Sequence, residues 1–263
     1  MLRPRIIPCL LVHDDGLVKT VKFKDPKYVG DPINAVKIFN EKEADELIVL
    51  DIDATVQGRE PNFRLIAQFA AECRMPLCYG GGVRTVEQAK RIIGLGVEKV
   101  ALSAAAVEAP TLISRIAAEV GSQSVVVVLD VKTSLFGKQE VWTHNGRKNS
   151  GKSPLELAKE AERLGAGEVV VNSIDRDGQM KGYDLALARK IREATRLPMS
   201  VLGGAGSLQD IGALIKECGV VGASAGSFFV FKGQYRAVLI SYPSPEQKDD
   251  LLRASLPAAA VRA

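Results

Sequence analysis

Eight short apolar runs alternate along the chain with longer segments in which apolar residues recur at helical spacing. The runs are almost continuously apolar and rich in β-branched residues, which is typical of strands buried on both faces of a parallel sheet. In chain order they read RIIPCLLV, ELIVLDID, PLCYGG, KVALSA, SVVVVLD, EVVVNSID, PMSVLGG and GVVGASAG. Segments such as SPLELAKEAERLGAG have one apolar face, as helices that cover a sheet do. Eight such units predict an α/β fold, a single closed (β/α)8 TIM barrel.

The two halves of this pattern are similar. The recurring positions, at one constant interval, are Ile52-Asp53, Pro76 and Gly81-Gly82 in the first half and Ile174-Asp175, Pro198 and Gly203-Gly204 in the second. Self-similarity at a fixed spacing indicates internal duplication, so we expect two similar half-barrels. The barrel is expected to occupy residues 1–243. Residues 244–263 shift in composition to Pro, Ala and charge, which predicts a short helix followed by a frayed end.

Composition and charge narrow the range of functions. The 263 residues are 46% hydrophobic and include 35 Lys and Arg against 31 Asp and Glu, a mild basic excess. Such an excess favours small anionic ligands, whereas nucleic-acid binding normally requires a concentrated basic stripe. No apolar run is long enough to span a membrane and no signal-peptide pattern opens the chain, so we expect a cytoplasmic protein. The four cysteines form no CxxC pair and only two histidines are present, so no disulfide framework, metal site or cofactor is expected.

Two glycine-rich turns follow the third and seventh predicted strands, GGG at 80–82 and GGAG at 203–206. Such a turn lets backbone N–H groups approach an anion, and the N-terminus of the next helix favours negative charge. A tight turn that needs positive φ is the alternative explanation. Because the turns occupy equivalent places in a duplicated barrel, paired phosphate sites are favoured, and SIDRDG at 173–178 and GASAGS at 222–227 would complete the second. A long substrate with a phosphate at each end would fit them.

Asp130 ends the fifth run with the same inward parity as Val126 and Val128. A carboxyl group in so apolar a strand end is suited to general acid or base chemistry, because desolvation raises its pKa toward neutrality. Capping of the following loop is an equally good explanation from the residues alone. Four further carboxylates stand at equivalent loop starts, where some would bind ligand hydroxyls and others shape turns: Asp51, Asp53, Asp175 and Asp177.

The first strand ends in an apolar residue, whereas the fifth ends in a carboxyl group. Its inward residues are Ile7, Cys9 and Leu11, so its last inward position, at the end where TIM barrels place catalytic groups, is apolar. Leu11 can transfer no proton.

Charged residues open four of the predicted strands at the opposite end of the barrel. They are Arg5, Glu46, Lys99 and Glu168. Two cations and two anions at a barrel floor could simply pair with each other, and floor residues usually serve stability. The residue pattern by itself supports no more than that.

From Arg5 to about Tyr242, the chain resembles the cyclase subunit family of imidazole glycerol phosphate synthase. The resemblance rests on RIIPCL, VGDP, ELIVLDI, YGGGV, EKVALS, FGKQ after LDVK, GAGE, NSIDRDG, GYD and GGAG, in order and at the family's spacings. It implies a lyase-type cyclase barrel in a heterodimer with a glutaminase, which releases ammonia at the barrel floor. Arg5, Glu46, Lys99 and Glu168 would then form a gate through which ammonia enters. The implied phosphate-binding residues are Lys19, Gly82, Ser103, Asp177, Gly178, Gly204 and Ser227.

The chain departs from the family at two places. The family's cyclase uses an aspartate at the ends of strands one and five; Asp130 supplies the second, and Leu11 replaces the first. The polar pair that follows strand four in the family is Ser103-Ala104, which weakens the first phosphate site. The loss of one positioned proton-transfer group typically costs roughly 10²- to 10⁴-fold in rate, so histidine-pathway turnover is in doubt.

One subgroup shares these departures. The stretch LVKTVKFKDPKYVGDPINAVKIFNEKEADELIVLDIDAT resembles the glycosyl amidation-associated paralogs found with surface-polysaccharide genes. This resemblance implies a barrel that receives ammonia from a glutaminase and supports a sugar amidotransferase, with Leu11 lining a site where ring closure is no longer performed. The alternatives are an authentic cyclase with one aspartate and a regulatory barrel that binds a phosphorylated ligand without conducting ammonia. A phosphosugar isomerase fits the floor charges and NSIDRDG less well.

Overall fold

The computed structural model of the chain describes residues 3–256. Its strands are β1 (Arg5–His13), β2 (Gly16–Val21), β3 (Lys24–Gly30), β4 (Leu47–Asp51), β5 (Leu77–Gly80), β6 (Lys99–Leu102), β7 (Val125–Thr133), β8 (Gln139–Thr143), β9 (Lys148–Asn149), β10 (Glu168–Ser173), β11 (Met199–Leu202), β12 (Gly222–Ala225), β13 (Phe231–Lys232) and β14 (Ala237–Val238). Its helices are α1 (Pro32–Glu41), α2 (Phe63–Glu72), α3 (Val86–Gly94), α4 (Ala104–Glu108), α5 (Thr111–Val120), α6 (Pro154–Arg163), α7 (Leu185–Ala194), α8 (Leu208–Cys218), α9 (Ser227–Val230) and α10 (Pro245–Ser255).

Eight parallel strands close into a barrel, which confirms the predicted fold. The order around the barrel is β1, β4, β5, β6, β7, β10, β11 and β12, and β12 pairs again with β1. Each of the eight apolar runs of the sequence contributes one of these strands, and helices lie between them in the chain. The duplicated glycines also adopt matching conformations, since Gly81 and Gly82 and their counterparts Gly203 and Gly204 all have positive φ.

The helices begin at side chains suited to their first turn. Asp31, Asn62, Asp184 and Ser207 each accept a hydrogen bond from a backbone N–H of the helix that follows, and Thr85 and Gln88 form a capping box at α3. Such caps satisfy N–H groups that have no partner within the helix. The helices bury their apolar faces against the outside of the barrel in one large core. No helix among residues 3–256 combines the length and the apolar character that crossing a bilayer requires.

A second, smaller apolar cluster fills the barrel interior. Its members are Ile7, Cys9, Ile48, Cys78, Ala101, Val126, Val128, Val170 and Leu202, with Leu11 and Leu50 packed against it. Strand register explains the set, because Cys9 pairs with Ile48 and Ala101 with Val126, and residues paired in a parallel ladder point to the same face. The predicted inward parity of β1 and β7 is therefore confirmed, and the cluster separates a floor from a mouth.

The eight-run pattern does not predict the antiparallel strands, which extend the barrel sheet at two places and form one separate two-stranded sheet. β2 pairs with both β1 and β3, β8 pairs with β7 and β9, and β13 pairs with β14. The helix predicted after residue 243 is α10, whose Leu251 approaches Gly212 of α8. The predicted frayed end falls on residues 257–263, outside the described residues.

Candidate functional site at the mouth and floor of the barrel

One cavity at the C-terminal ends of the barrel strands is lined by all the predicted phosphate-binding residues together with Asp130 and Leu11. These are Leu11, Lys19, Gly82, Ser103, Asp130, Asp177, Gly178, Gly204 and Ser227. They come from most of the barrel strands and from the β2–β3 hairpin, so only the closed barrel brings them together. This is the end at which TIM barrels normally place their chemistry.

Asp130 lies on the inner wall of this cavity and is held by two side chains. Asn172 Nδ2 donates to its Oδ1 (2.9 Å), and Ser103 Oγ donates to its Oδ2 (3.1 Å). Desolvation by burial raises the pKa of Asp130 from an ordinary value of 3.8 to about 6, because it outweighs the two hydrogen bonds that favour the charged form. A carboxyl group with this pKa can exchange a proton near neutral pH, as general acid–base chemistry requires.

The raised pKa gives a prediction for stability. The folded protein binds a proton at Asp130 more tightly than the unfolded chain, so this residue's contribution to stability falls as pH rises from about 4 to 6 and is constant above that range. Asp130→Asn cannot ionise; its oxygen can still accept from Asn172, and its NH2 group can donate to Ser103 Oγ, whose hydroxyl turns to accept. We expect its free energy of unfolding, relative to wild type, to rise by about 2 kcal/mol between pH 4.5 and 7. Urea unfolding at several pH values measures this, and a difference independent of pH would contradict it.

Leu11 lies across the barrel from Asp130, on β1. It is half-buried, pairs in register with Leu50 of β4 and packs on the interior apolar cluster. No carboxylate of the following loop takes its place, because neither Asp14 nor Asp15 lines the cavity, and Asp15 instead accepts from Asn62 Nδ2 (3.1 Å). Asp130 on β7 therefore faces the apolar Leu11 on β1 across the mouth, in a cavity that Lys19 and Asp51 also line.

The glycines of the mouth are required by close backbone approaches. A Cβ on Gly178 would lie 2.2 Å from the Thr20 carbonyl oxygen, and one on Gly204 would lie 2.2 Å from the Gly182 carbonyl oxygen. The N–H groups of Gly178, Gly204 and Ser227 donate to no other residue in the described part of the chain. They are free to bind an anion, whereas the Gly82 N–H already donates to Thr55 Oγ1 (3.2 Å). Of the two equivalent glycines Gly82 and Gly204, only Gly204 therefore has an N–H group without a partner among the described residues.

Lys19 reaches into the cavity from β2 and is almost fully buried. Its Nζ donates to the carbonyl oxygen of Cys9 (2.5 Å), beside Gly226, where a Cβ would lie only 3.0 Å away. Desolvation lowers the pKa of Lys19, and the negative charge of Asp177 opposes that shift. The sequence alone indicates neither this burial nor the contact with β1.

The four carboxylates at loop starts hold the mouth loops in place. Asp51 accepts from the N–H groups of Asp53 and Ala54, and Asp175 accepts from that of Thr133. Asp177 accepts from Thr20 Oγ1 (2.7 Å) and from a backbone N–H of the β2–β3 turn. Turn shaping, one of the two explanations that the sequence left open, accounts for these bonds.

At the rim, Asp53 joins two residues at the end of β1. His13 Nδ1 lies 2.8 Å from Asp53 Oδ1, and the Asp14 N–H donates to Asp53 Oδ2 (2.9 Å). The hydrogen bond to Asp53 raises the pKa of His13. These three side chains are close enough to share a metal ion, but the hydrogen bonds already account for their arrangement.

At the floor, Arg5, Glu46, Lys99 and Glu168 form one closed ring of ion pairs. Lys99 Nζ lies 2.7 Å from Glu46 Oε1 and 2.8 Å from Glu168 Oε2. Arg5 completes the ring, with Nη2 2.7 Å from Glu168 Oε1 and Nη1 hydrogen-bonded to Glu46. Each anion therefore contacts both cations, and the ring closes the bottom of the barrel beneath the apolar cluster.

The charges of this ring stabilise one another. Burial by itself would raise the pKa of Glu168 and lower those of Arg5 and Lys99. The attraction between opposite charges and their hydrogen bonds outweighs burial, so the pKa of Glu168 is lowered and those of Arg5 and Lys99 are raised. All three groups are consequently charged at neutral pH. Removal of one cation would leave buried carboxylates short of a partner.

Two contributors to these sites were missed from the sequence. Ser200 donates to Glu168 Oε1 (2.5 Å) at the floor, and Asn172 orients Asp130 at the mouth. Both have the inward parity of their strands, as their register with Val170 and Asp130 shows. Parity within PMSVLGG and EVVVNSID was a signal that could have identified them.

The fold and the site define a class of protein, a (β/α)8 barrel with an anion-suited mouth and a charged floor on opposite ends of one apolar interior. The sequence profile of the histidine biosynthesis protein family matches residues 5–236. The chain belongs to that family. Its similarity to individual members extends over nearly the whole of both chains.

Three relatives illustrate this similarity. A Vibrio vulnificus protein, provisionally named imidazole glycerol phosphate synthase subunit hisF3, is 58% identical over 96% of this chain and 97% of its own length. A Pseudomonas aeruginosa protein, provisionally named subunit hisF2 of the same synthase, is 54% identical over 95% of this chain and 99% of its own. Imidazole glycerol phosphate synthase subunit HisF of Hyphomonas neptunium is 42% identical over 88% of this chain and 91% of its own.

Proposed function

We propose that this chain is the barrel subunit of a glutamine-dependent amidotransferase complex. It receives ammonia from a glutaminase subunit at the floor and supports sugar amidation in surface-polysaccharide biosynthesis. The observation that carries the proposal is the combination of a complete charged ring at the floor with Leu11 at the mouth. The first feature suits ammonia entry, and the second is unsuited to cyclisation.

The floor supports the ammonia half of the proposal. A ring in which every charge is paired keeps water and ions out of the apolar interior, because a hydrated ion would lose its solvent there without compensation. Neutral ammonia is small and can exchange hydrogen bonds with the ring. Its entry requires one cation, Arg5 or Lys99, to swing away from the two carboxylates. The interior is a packed core without an open bore, so transit also needs side-chain motion.

The mouth supports the other part of the proposal, that this barrel does not perform cyclisation. Asp130 could still exchange protons, and the open N–H groups near Gly204 could still hold an anion, but Leu11 removes the second proton-transfer group.

An authentic cyclase subunit of histidine biosynthesis is the second candidate. The observation that favours it is the intact Asp130 site, whose pKa of about 6 suits acid–base work by one carboxyl group. The Hyphomonas neptunium relative, named imidazole glycerol phosphate synthase subunit HisF and 42% identical, also agrees with it.

Complementation separates the two candidates. A bacterial strain that lacks its cyclase subunit requires histidine for growth. Expression of this chain with its glutaminase partner, in medium rich in ammonium, is expected to leave the strain dependent on histidine, because one proton-transfer group is missing. The strain's own cyclase gene serves as the positive control. Robust growth without histidine would favour the cyclase and remove the amidation proposal.

A further inference from the structure

The inner face of β12 differs from the rest of the barrel interior. Its inward positions are Gly222 and Ser224, since Gly222 pairs with Arg5 and Ser224 with Ile7, both of which point inward. Gly226 follows at the same parity and lines the mouth cavity. Other inward positions between floor and mouth carry apolar side chains. Two glycines and a serine therefore form a strip of small residues along one wall.

Polar groups occupy the space that the two glycines leave. A Cβ on Gly222 would lie 2.0 Å from Ser200 Oγ, so the Ser200 hydroxyl, bonded to Glu168 of the floor ring, lies over this position. A Cβ on Gly226 would lie 3.0 Å from Lys19 Nζ, so the buried ammonium lies over the upper one. Hydrogen-bonding groups thus stand at both ends of the strip.

Ser224 lies between these ends and is fully buried. Its hydroxyl has no hydrogen-bond partner among the described residues. A buried hydroxyl without a partner is costly, and native proteins normally satisfy such groups. The cluster around it is apolar apart from weakly hydrogen-bonding thiols such as that of Cys9, so the Ser224 hydroxyl is open to a small molecule from outside the chain.

We propose that the Ser224 hydroxyl binds one small neutral hydrogen-bonding molecule, and that this molecule is ammonia in transit from the floor to the mouth. The assignment rests on the proposed function for the ammonia supply. Ser200, Ser224 and Lys19 then form a polar track along β12. Ammonia can accept from the Ser224 hydroxyl and donate to its oxygen, whereas ammonium would be a cation with no counter-charge at this level of the barrel. Water has the same bonding capacity and is the competing occupant.

The experiment uses the complete complex of this chain, its glutaminase and the sugar amidotransferase that accepts the ammonia. The measured quantity is the glutamine consumed per acceptor amidated. In Ser224→Ala we expect this ratio to rise on the order of threefold to tenfold, the effect of losing one neutral hydrogen bond in transit. Product formed from added ammonium should be unchanged, because free ammonia enters at the mouth. Ser224→Thr, which keeps the hydroxyl, should restore the ratio.

Cys78→Ala is the matched control. It also removes one γ atom from the barrel interior, but from β5, away from the track. Its ratio should stay at the wild-type value, and an equal rise in both variants would show that ammonia follows no particular wall.

Thermal unfolding adds a readout without turnover, because Ser224→Ala loses no hydrogen bond within the chain and should melt no lower than wild type. A lower melting temperature with an unchanged ratio would assign the hydroxyl to a structural water and overturn the proposal.

The floor variant Lys99→Ala separates this inference from the proposed function. If Lys99→Ala raises the ratio and Ser224→Ala does not, ammonia crosses the barrel without using the track. Only the proposed role of Ser224 is then wrong. If neither variant changes the ratio, the ammonia route itself is wrong.

Discussion

Lys99→Ala is expected to raise the glutamine consumed per molecule of amidated acceptor at least several-fold in the reconstituted complex. Lys99 bridges both carboxylates of the floor ring, at 2.7 and 2.8 Å, and its removal opens the ring to water. Ammonia released below would then escape or be protonated before it enters the barrel. Product formed from added ammonium should be retained, because that route bypasses the floor.

If the ring is purely structural, Lys99→Ala should lower stability and leave the glutamine consumed per acceptor amidated unchanged. Loss of one partner from a buried ion pair costs about 3 to 5 kcal/mol, although Arg5 remains here to offset part of it. The folded fraction must therefore be checked, and Lys99→Met, which keeps most of the apolar stem, provides a milder variant. Lys90→Ala is the matched control, since it removes an exposed lysine paired with Glu119 at 2.7 Å on the outer surface. An unchanged ratio in folded Lys99→Ala would remove the main support for ammonia entry at the floor.

The barrel was predictable because its signals are local. Each strand is a short run whose apolar character is visible without its neighbours, and inward parity follows from counting by two along the run. That counting placed Val128 and Asp130 on the inside of β7, which the structure confirms. The floor charges were predicted to open four strands; Arg5, Lys99 and Glu168 do so, and Glu46 directly precedes β4. Closure of the barrel then brings the four charges together without further information from the sequence.

The parts that were not predictable depend on contacts between distant segments. Lys19 lies on a hairpin that folds back over the mouth, and no periodicity in LVKTVKF shows that its amine reaches Cys9. Ser224 lies in a run, GVVGASAG, whose small residues read as a weak strand. The lack of a hydrogen-bond partner for its hydroxyl becomes visible only when the apolar side chains of the other strands are placed around it. Which side chains on different strands become hydrogen-bond partners is determined by the tertiary structure.

Leu11→Asp is expected to create a trace of cyclase activity, the formation of imidazole glycerol phosphate from the nucleotide intermediate with free ammonium. The substitution places a carboxyl group at the mouth end of β1, opposite Asp130, and so supplies the missing second proton-transfer group. Such a group is typically worth roughly 10²- to 10⁴-fold in rate, so the variant should exceed a wild type near the detection limit. Full activity is not expected, because Ala104 adds no hydrogen bond to the first phosphate site and small misplacements of substrate are costly in rate.

Leu50→Asp is the control that separates position from charge. Leu50 pairs in register with Leu11, packs against the same interior cluster and also lines the mouth cavity, so both variants put a carboxylate into a similar environment on adjacent strands. If proton transfer requires a group at the end of β1, only Leu11→Asp gains activity, and a second substitution, Asp130→Asn, abolishes the gain. Comparable activity in both aspartate variants would show that a negative charge anywhere in the mouth suffices. Wild-type protein that turns over as fast as Leu11→Asp would show that Leu11 is not the reason for lost cyclisation, and the authentic cyclase would then be the better description of this barrel.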